Sequence, residues 1–260
     1  MPELPPSDAA AVEPQPVEAA PSSSSGLAPA TLQASAESDA RVDSPATGAL
    51  LACAGGFLDA FTYVGHGHVF ANAMTGNVVL LGVNCVSGDW HTGLRHLPPI
   101  IAFFVGILAA KTIEFWARPN RLHYRYLAVL ALETAILSLL SLLPVGAADF
   151  WITTSIAFAA SVQVETFRKV RGRSYNSTFT TGNLRTLSEG IFDWWTGARD
   201  PENAHLIADF ALICGAFLAG AVAGGLATTL ARNYGFLNHA LWIDILLLFV
   251  VAVRVRSRWS

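Results

Sequence analysis

Charged residues are scarce in this chain of 260 residues. Asp, Glu, Lys and Arg together make up 13% of the sequence, and hydrophobic residues make up 53%. Soluble globular domains usually contain about 25% charged residues, so the composition excludes an ordinary soluble domain and predicts an integral membrane protein. The formal net charge is −3, and the sequence has no extended basic stretch of the kind that binds nucleic acid. This excludes a nucleic-acid-binding surface.

Cysteine pairs and catalytic motifs are also missing. Cys53, Cys85 and Cys214 each stand alone in an apolar run, so their spacing favours small core residues over a disulfide or metal site. The chain has no phosphate-binding loop, nucleophile elbow, metal-binding helix motif or dinucleotide fingerprint. We therefore predict no cofactor and no metal, and no catalytic constellation favours an enzyme.

Aromatic residues are absent from residues 1–44, which also hold seven acidic residues against one basic residue. Eight of the thirteen prolines fall within the first 45 residues. Such a segment has too little apolar surface to offset the entropy of ordering. Residues 1–45 are therefore predicted to be a disordered cytoplasmic tail, without the basic start and apolar core of a secretory signal. Residues 46–256 are predicted to form the transmembrane domain.

Eight apolar segments follow this tail. A spanning helix needs about 20 mostly apolar residues, and six of the segments are long enough. The second and sixth segments are weaker, and the sixth contains Arg185 and Glu189, which a lipid-facing helix tolerates poorly. Whether these two cross the membrane fully stays open. The segments are 47–64, 74–88, 97–117, 124–143, 149–168, 178–193, 206–231 and 236–254.

The sequence contains an internal repeat at a constant offset of 106 residues. Residues 59–77 align with 165–183 without a gap, and both stretches follow one apolar segment and lead into another. This pattern predicts two pseudosymmetric repeats, about 46–143 and 149–256. The matched positions are Asp59 with Glu165, Phe61 with Phe167, and Thr75, Gly76 and Asn77 with Thr181, Gly182 and Asn183.

Basic residues after the third and fifth segments and at the C-terminus bear on the topology. The positive-inside rule places all three clusters in the cytoplasm. This requires six spanning helices plus two re-entrant or half-length helices, with inverted repeats and a cytoplasmic N-terminus. The alternative is eight crossings in two parallel halves, with both termini outside. The basic residues are Arg118, Arg121, Arg125, Arg168, Lys169, Arg171, Arg173, Arg254, Arg256 and Arg258.

Four carboxyl groups lie within or near the ends of apolar segments: Asp59, Glu133, Glu165 and Asp244. An Asp at the centre of a membrane helix costs about 2.5–3.5 kcal/mol on insertion scales, so these acids should face the bundle interior or a cavity. They are predicted to bind a proton or a cation. The alternative is that they are interfacial or helix-capping acids.

Each Thr-Gly-Asn triplet stands where a helix is predicted to begin. Thr and Asn can cap free amides there, and Gly permits close approach of another backbone or a ligand. Two such helix starts can direct their positive dipole ends into one cavity and hold a polar or anionic ligand. Alternatively, each triplet only caps and packs a re-entrant helix. We predict a site in which Asp59 and Glu165 flank a cavity whose floor is built by the two triplets.

One segment also carries a helix-packing motif. Gly220 and Gly224 form a GxxxG pattern, which allows close helix contact within the protein or in a homo-oligomer.

The motifs GGFLDAFTYV and FANAMTGNVVLLG in the first half, with RSYN and TGNLRTL in the second, resemble the YoaK-like family of bacterial membrane proteins. The similarity covers roughly residues 46–256. The resemblance implies a multi-pass protein of the bacterial inner membrane and brings no substrate or reaction with it. The sequence therefore favours a secondary transporter or channel for a small polar or anionic solute, with proton coupling as an option. The alternatives are a membrane scaffold or a membrane-embedded enzyme acting on lipid.

Overall fold

The computed structural model describes residues 42–116, 122–146, 149–197 and 199–256. The predicted tail up to residue 41 lies outside this range, as do Arg118, Arg121 and Arg258. The all-α polytopic fold predicted from the sequence is confirmed. The elements are α1 (Pro45–Gly65), α2 (Met74–Val86), α3 (Trp90–Leu94), α4 (Leu97–Trp116), α5 (Leu122–Ser141), α6 (Asp149–Thr166), β1 (Lys169–Val170), β2 (Arg173–Ser174), α7 (Thr180–Thr196), α8 (Pro201–Asn233), a 3-10 turn (Leu237–Ala240) and α9 (Leu241–Arg256).

Residues 42–45, which the prediction assigned to the tail, are in contact with the helices. Val42 is buried in the main apolar core. Ser44 is the N-cap of α1, and its Oγ accepts a hydrogen bond from the Thr47 amide at 3.3 Å. Pro45 follows at the first helical position, where its fixed φ suits a helix start. Residues 42–45 therefore belong with the helical domain rather than with the tail.

Five helices within the described residues are long and apolar enough to cross a membrane. They account for five of the six predicted spans. The sixth, α6, has 18 residues, with three Thr, two Ser and one Gln among them. Ten of its residues are buried, so protein rather than lipid surrounds much of the helix. The helix α2 has 13 residues and is about 20 Å long at 1.5 Å per residue. It is thus shorter than the hydrocarbon core of about 30 Å.

Helices α1 and α6, which begin the two predicted repeats, run antiparallel. At one end, the Arg171 amide after α6 donates to the carbonyl of Asp43 before α1 at 2.7 Å. At the other end, His66 after α1 contacts Asp149 at the start of α6, with Nδ1 and Oδ1 3.0 Å apart. Strands β1 and β2 after α6 form a short hairpin, which we call the basic hairpin because residues 168–174 include four basic residues. The start of α1 and the basic hairpin therefore lie at the same end of the bundle.

Packing partners are exchanged between the two halves of the chain. The first helix of the first half, α1, packs on α8 and α9 of the second half. The first helix of the second half, α6, packs on α4 and α5 of the first half. The two last helices, α5 and α9, also pack on each other. The halves are thus intertwined, and neither forms a separate bundle.

The contact between α1 and α8 depends on glycine. Gly220 lies against the backbone of Cys53, Gly224 lies against the backbone of Phe57, and a Cβ at either position would overlap a carbonyl oxygen of α1. Small residues allow this backbone-to-backbone approach in membrane helices. The GxxxG face is therefore covered by α1 of the same chain. Of the two contacts that the pattern allows, this is the contact within the protein.

Candidate functional site

Asp59 anchors the start of α2. Its side chain is buried at 5% exposure on α1, and its Oδ1 accepts hydrogen bonds from the amides of Asn72 at 2.7 Å and Ala73 at 3.2 Å. Amides at a helix start have no partner within their own helix. A carboxyl group on the neighbouring helix α1 therefore satisfies them.

In the second half, an asparagine takes the place of Asp59. The amides of Thr178 and Phe179, which are 106 residues after Asn72 and Ala73, donate to Oδ1 of Asn176 at 2.8 and 3.1 Å. The repeat aligns Asn176 with Phe70 and not with Asp59. The alignment therefore did not indicate that Asn176 accepts these hydrogen bonds in the second half.

Glu165, the repeat mate of Asp59, lies in a different environment. Its Oε1 is 2.7 Å from Lys111 Nζ and 3.0 Å from Arg168 Nη1. Lys111 also pairs with Glu114 at 3.0 Å, as the spacing of three residues on one helix suggests. The structure thus places Asp59 on backbone amides and Glu165 in an ion-pair network. Neither acid is among the residues that line four cavities found in the described part of the chain.

The asparagine of each triplet clamps the backbone of the loop before its helix. Asn77 Oδ1 accepts from the Phe70 amide at 3.0 Å, and its Nδ2 donates to the Phe70 carbonyl at 2.7 Å. Asn183 makes the same pair with the Asn176 backbone, at 3.2 and 2.6 Å. Phe70 and Asn176 are again 106 residues apart. The two copies thus share one hydrogen-bonding pattern, which fixes how the chain enters α2 and α7.

The other triplet residues do not cap. Thr75 and Thr181 are exposed, and the N-cap residues, Ala73 and Phe179, make no side-chain cap hydrogen bond. The expected capping role of Thr and Asn is therefore wrong in its detail, because Asn77 and Asn183 reach back seven residues. Gly76 packs on the Phe70 ring, whereas Gly182 has open space where a Cβ would be.

The two remaining candidate acids, Glu133 and Asp244, are both buried on helices that pack on each other; we call them the acid pair. Glu133 on α5 is 1% exposed and Asp244 on α9 is 0% exposed. Glu133 Oε2 accepts from Gln163 Nε2 on α6 at 2.6 Å. Glu133 Oε1 and both carboxyl oxygens of Asp244 have no hydrogen-bond partner among the described residues.

Gln163 links Glu133 to a further buried polar residue, Ser177, through hydrogen bonds. Its Oε1 accepts from the hydroxyl of Ser177 at 3.5 Å, and both residues are buried. Ser177 lies in the segment that leads into α7. Sequence reasoning identified the two acids but neither Gln163 nor Ser177, because a Gln or Ser in an apolar helix or loop carries no specific signal.

A second polar group lies at the end of the bundle opposite to the basic hairpin. Buried His66 contacts Asp149 beside a cavity of about 350 Å³, which Arg95, His91 and Thr153 also line. Burial lowers the pKa of His66, and its hydrogen bond to Asp149 opposes this shift. Asp149 was not among the predicted candidates, since only the fold brings it to His66.

Comparison with known proteins agrees with this architecture. Residues 47–254 match the family model described as "Protein of unknown function (DUF1275)". The chain is 26% identical over 214 residues to "UPF0700 transmembrane protein YoaK" from Bacillus subtilis (strain 168), covering 81% of this chain and 93% of that protein. No solved structure matches the chain. The match to the relative supports an integral multi-pass membrane protein, and the match to the family model shows that the chain belongs to the DUF1275 family.

Proposed function

We propose that this protein is a proton-coupled secondary transporter for a small polar or anionic solute, and that Glu133 and Asp244 bind the coupling proton. The proposal rests on one observation, the buried acid pair in which three of the four carboxyl oxygens have no hydrogen-bond partner among the described residues. Acids of this kind within membrane domains mark ion and proton pathways.

The charge of the pair requires compensation. An uncompensated ionised carboxylate in a low-dielectric interior costs many kcal/mol, and neither Glu133 nor Asp244 makes an ion pair within the described residues. A proton or a cation can supply the missing charge. Cations such as Mg²⁺ and Ca²⁺ take at least six oxygen ligands, and the pair lacks such a shell. A bound proton is therefore the simpler occupant.

The acids also lie where the two halves of the chain meet. Glu133 and Asp244 are on α5 and α9, the last helices of the two halves, and these helices pack on each other. Gln163 joins the pair from α6. Binding sites at the interface between repeats are common in transporters with inverted topology.

The inverted topology itself has independent support. Antiparallel α1 and α6 are what inverted repeats require, whereas eight crossings in parallel halves would make them parallel. The contact of Asp43 with Arg171 also puts the N-terminal end beside the basic hairpin. With the positive-inside rule, we place this end of the bundle, and the N-terminus, on the cytoplasmic side of the inner membrane.

Asp59, Glu165 and the two triplets receive structural roles in this proposal. Asp59, Asn77 and Asn183 hold the loops that enter α2 and α7, and Glu165 ties α6 to α4 through Lys111. They position the half-length helices around the bundle, and the acid pair is left as the proton site.

Flux into proteoliposomes tests the proposal. The full chain is reconstituted with a pH-sensitive dye inside, a membrane potential is imposed, and a panel of chloride, phosphate, carboxylates, amino acids and sugars is added. We expect one solute class to move protons in the wild type, and this movement to be lost in Glu133→Gln and Asp244→Asn. Glu189→Gln is the matched control, because Glu189 is exposed and its one ion pair among the described residues is with Arg185 on its own helix.

The alternatives give different results. A scaffold moves no solute and no protons beyond empty liposomes. Proton movement that persists unchanged in both acid variants would place the proton site elsewhere and refute the assignment.

A further inference from the structure

The His66 cavity adjoins a large apolar groove. Leu94, Pro98 and Phe150 line both spaces. The groove has a volume of about 760 Å³ and lies between α4, α5 and α6. A polar cavity therefore lies next to an apolar groove, and both volumes fall within the range of about 300–1,000 Å³ that ligand sites occupy.

The groove has the depth of one membrane leaflet. Along α6 it extends from Phe150 to Phe158, which is about 12 Å at 1.5 Å per residue. Half of the hydrocarbon core is about 15 Å. Its walls are exposed apolar side chains, among them Ile101, Leu139 and Trp151. Such a groove suits an acyl chain that runs from the headgroup level towards the bilayer centre.

The His66 cavity is lined by one acidic and one basic side chain, Asp149 and Arg95. A Cβ on Gly67 would lie 3.4 Å from Asp149 Oδ2 and 3.8 Å from Arg95 Nη1, so the two charged groups border the same small space. Oδ1 of Asp149 is engaged by buried His66, and the side chain is still 46% exposed. Arg95 is exposed, with His91 Nδ1 at 3.4 Å from its Nη2.

We infer that this composite site binds a zwitterionic phospholipid with a primary amine in its headgroup, such as phosphatidylethanolamine. Arg95 binds the phosphate, because its guanidinium matches phosphate geometry. Asp149 accepts hydrogen bonds from the ammonium group, and the groove holds an acyl chain. A purely anionic headgroup leaves the Asp149 carboxylate without a cation, which disfavours it. This inference concerns a different site from the proton pair and does not depend on transport.

Lipid binding to the purified, delipidated full chain tests the inference. Native mass spectrometry gives Kd for phosphatidylethanolamine, phosphatidylcholine and phosphatidylglycerol of equal chain length. We expect phosphatidylethanolamine to bind about tenfold more tightly than the other two, because only its ammonium donates hydrogen bonds to Asp149. Glycerophosphoethanolamine, which has the headgroup but no acyl chains, should bind at least about a hundredfold more weakly, because burial of each acyl CH₂ contributes about 0.8 kcal/mol.

Variants distinguish the contribution of the His66 cavity to lipid binding from that of the apolar groove. Asp149→Asn should remove the preference for phosphatidylethanolamine over phosphatidylcholine, and Arg95→Gln should weaken all three lipids. Ile101→Trp should fill the groove and weaken binding, whereas Leu218→Trp places the same bulk on an exposed position of α8 outside it. Equal Kd values for the three lipids in the wild type would overturn the inference even if a variant fails to fold. Equal effects of Ile101→Trp and Leu218→Trp would overturn the groove assignment.

Discussion

Replacement of Gly220 by alanine probes the contact that joins the two halves. In the wild type, Gly220 on α8 lies against the carbonyl oxygen, the carbonyl carbon and the Cα of Cys53 on α1. These are backbone atoms, so α1 and α8 must separate to admit a Cβ. Overpacking of this kind costs about 1–3 kcal/mol, and it outweighs the gain in helix propensity of about 1 kcal/mol from Gly to Ala.

Gly225→Ala is the matched control for this experiment. It lies on the same helix, and nothing is within 4 Å of the position that its Cβ would take. The control should show the propensity gain alone, so the two variants should differ by about 1–3 kcal/mol, the cost of overpacking. For a chain of this size such a difference corresponds to a separation in Tm of about 2–12 °C.

Thermal unfolding of both variants in one detergent, followed by tryptophan fluorescence, measures this difference. A lower Tm for Gly220→Ala than for Gly225→Ala supports the packing of α1 on α8. If both variants melt at the same temperature, the close backbone contact does not exist and the intertwined arrangement loses its main support.

Three further outcomes are expected. Deletion of residues 1–41 should leave Tm unchanged, whereas deletion through Ser44 should lower it, because Val42 and a cap of about 1 kcal/mol are lost. Asn183→Ala should lower the free energy of unfolding by about 2 kcal/mol or more, because both backbone groups of Asn176 lose a partner; Ser188→Ala, exposed on the same helix, is the control. Burial lowers the pKa of His66 in the folded chain, so the unfolded chain binds this proton more readily. Stability should therefore fall as the pH drops through about 6.5, the ordinary pKa of histidine, and His66→Gln should reduce that fall in a pH series of melting curves.

Much of the helical architecture was predictable from the sequence. Long apolar runs determine spanning helices, because every backbone group in a bilayer must be paired within the segment. The weak segments 74–88 and 178–193 correspond to α2 and α7, which begin next to their Thr-Gly-Asn triplets. The helix α6 was predicted as an ordinary span. It is more polar than the five helices that are apolar enough to cross a membrane, because other helices of the protein pack around it.

The chemistry of the site was less predictable. Repeat symmetry suggested that Asp59 and Glu165 act alike, but the two side chains have different partners. Asn176 supplies the oxygen that Asp59 supplies in the first half, and this leaves Glu165 to pair with Lys111. The contact of His66 with Asp149 joins residues 83 positions apart, and no local pattern reports such a pairing. Local sequence determines the helices, whereas long-range packing selects which acids are left without partners.

The protonation of the buried acid pair is the most direct test of the proposed mechanism. Infrared spectra of the reconstituted protein at neutral pH resolve the carbonyl stretch of a protonated carboxylic acid from that of carboxylates. We expect a protonated-acid band in the wild type and in Glu189→Gln that is lost or shifted in Glu133→Gln and in Asp244→Asn. A wild-type spectrum without such a band, or a band that both acid variants leave unchanged, would contradict the assignment of Glu133 and Asp244 as the proton site.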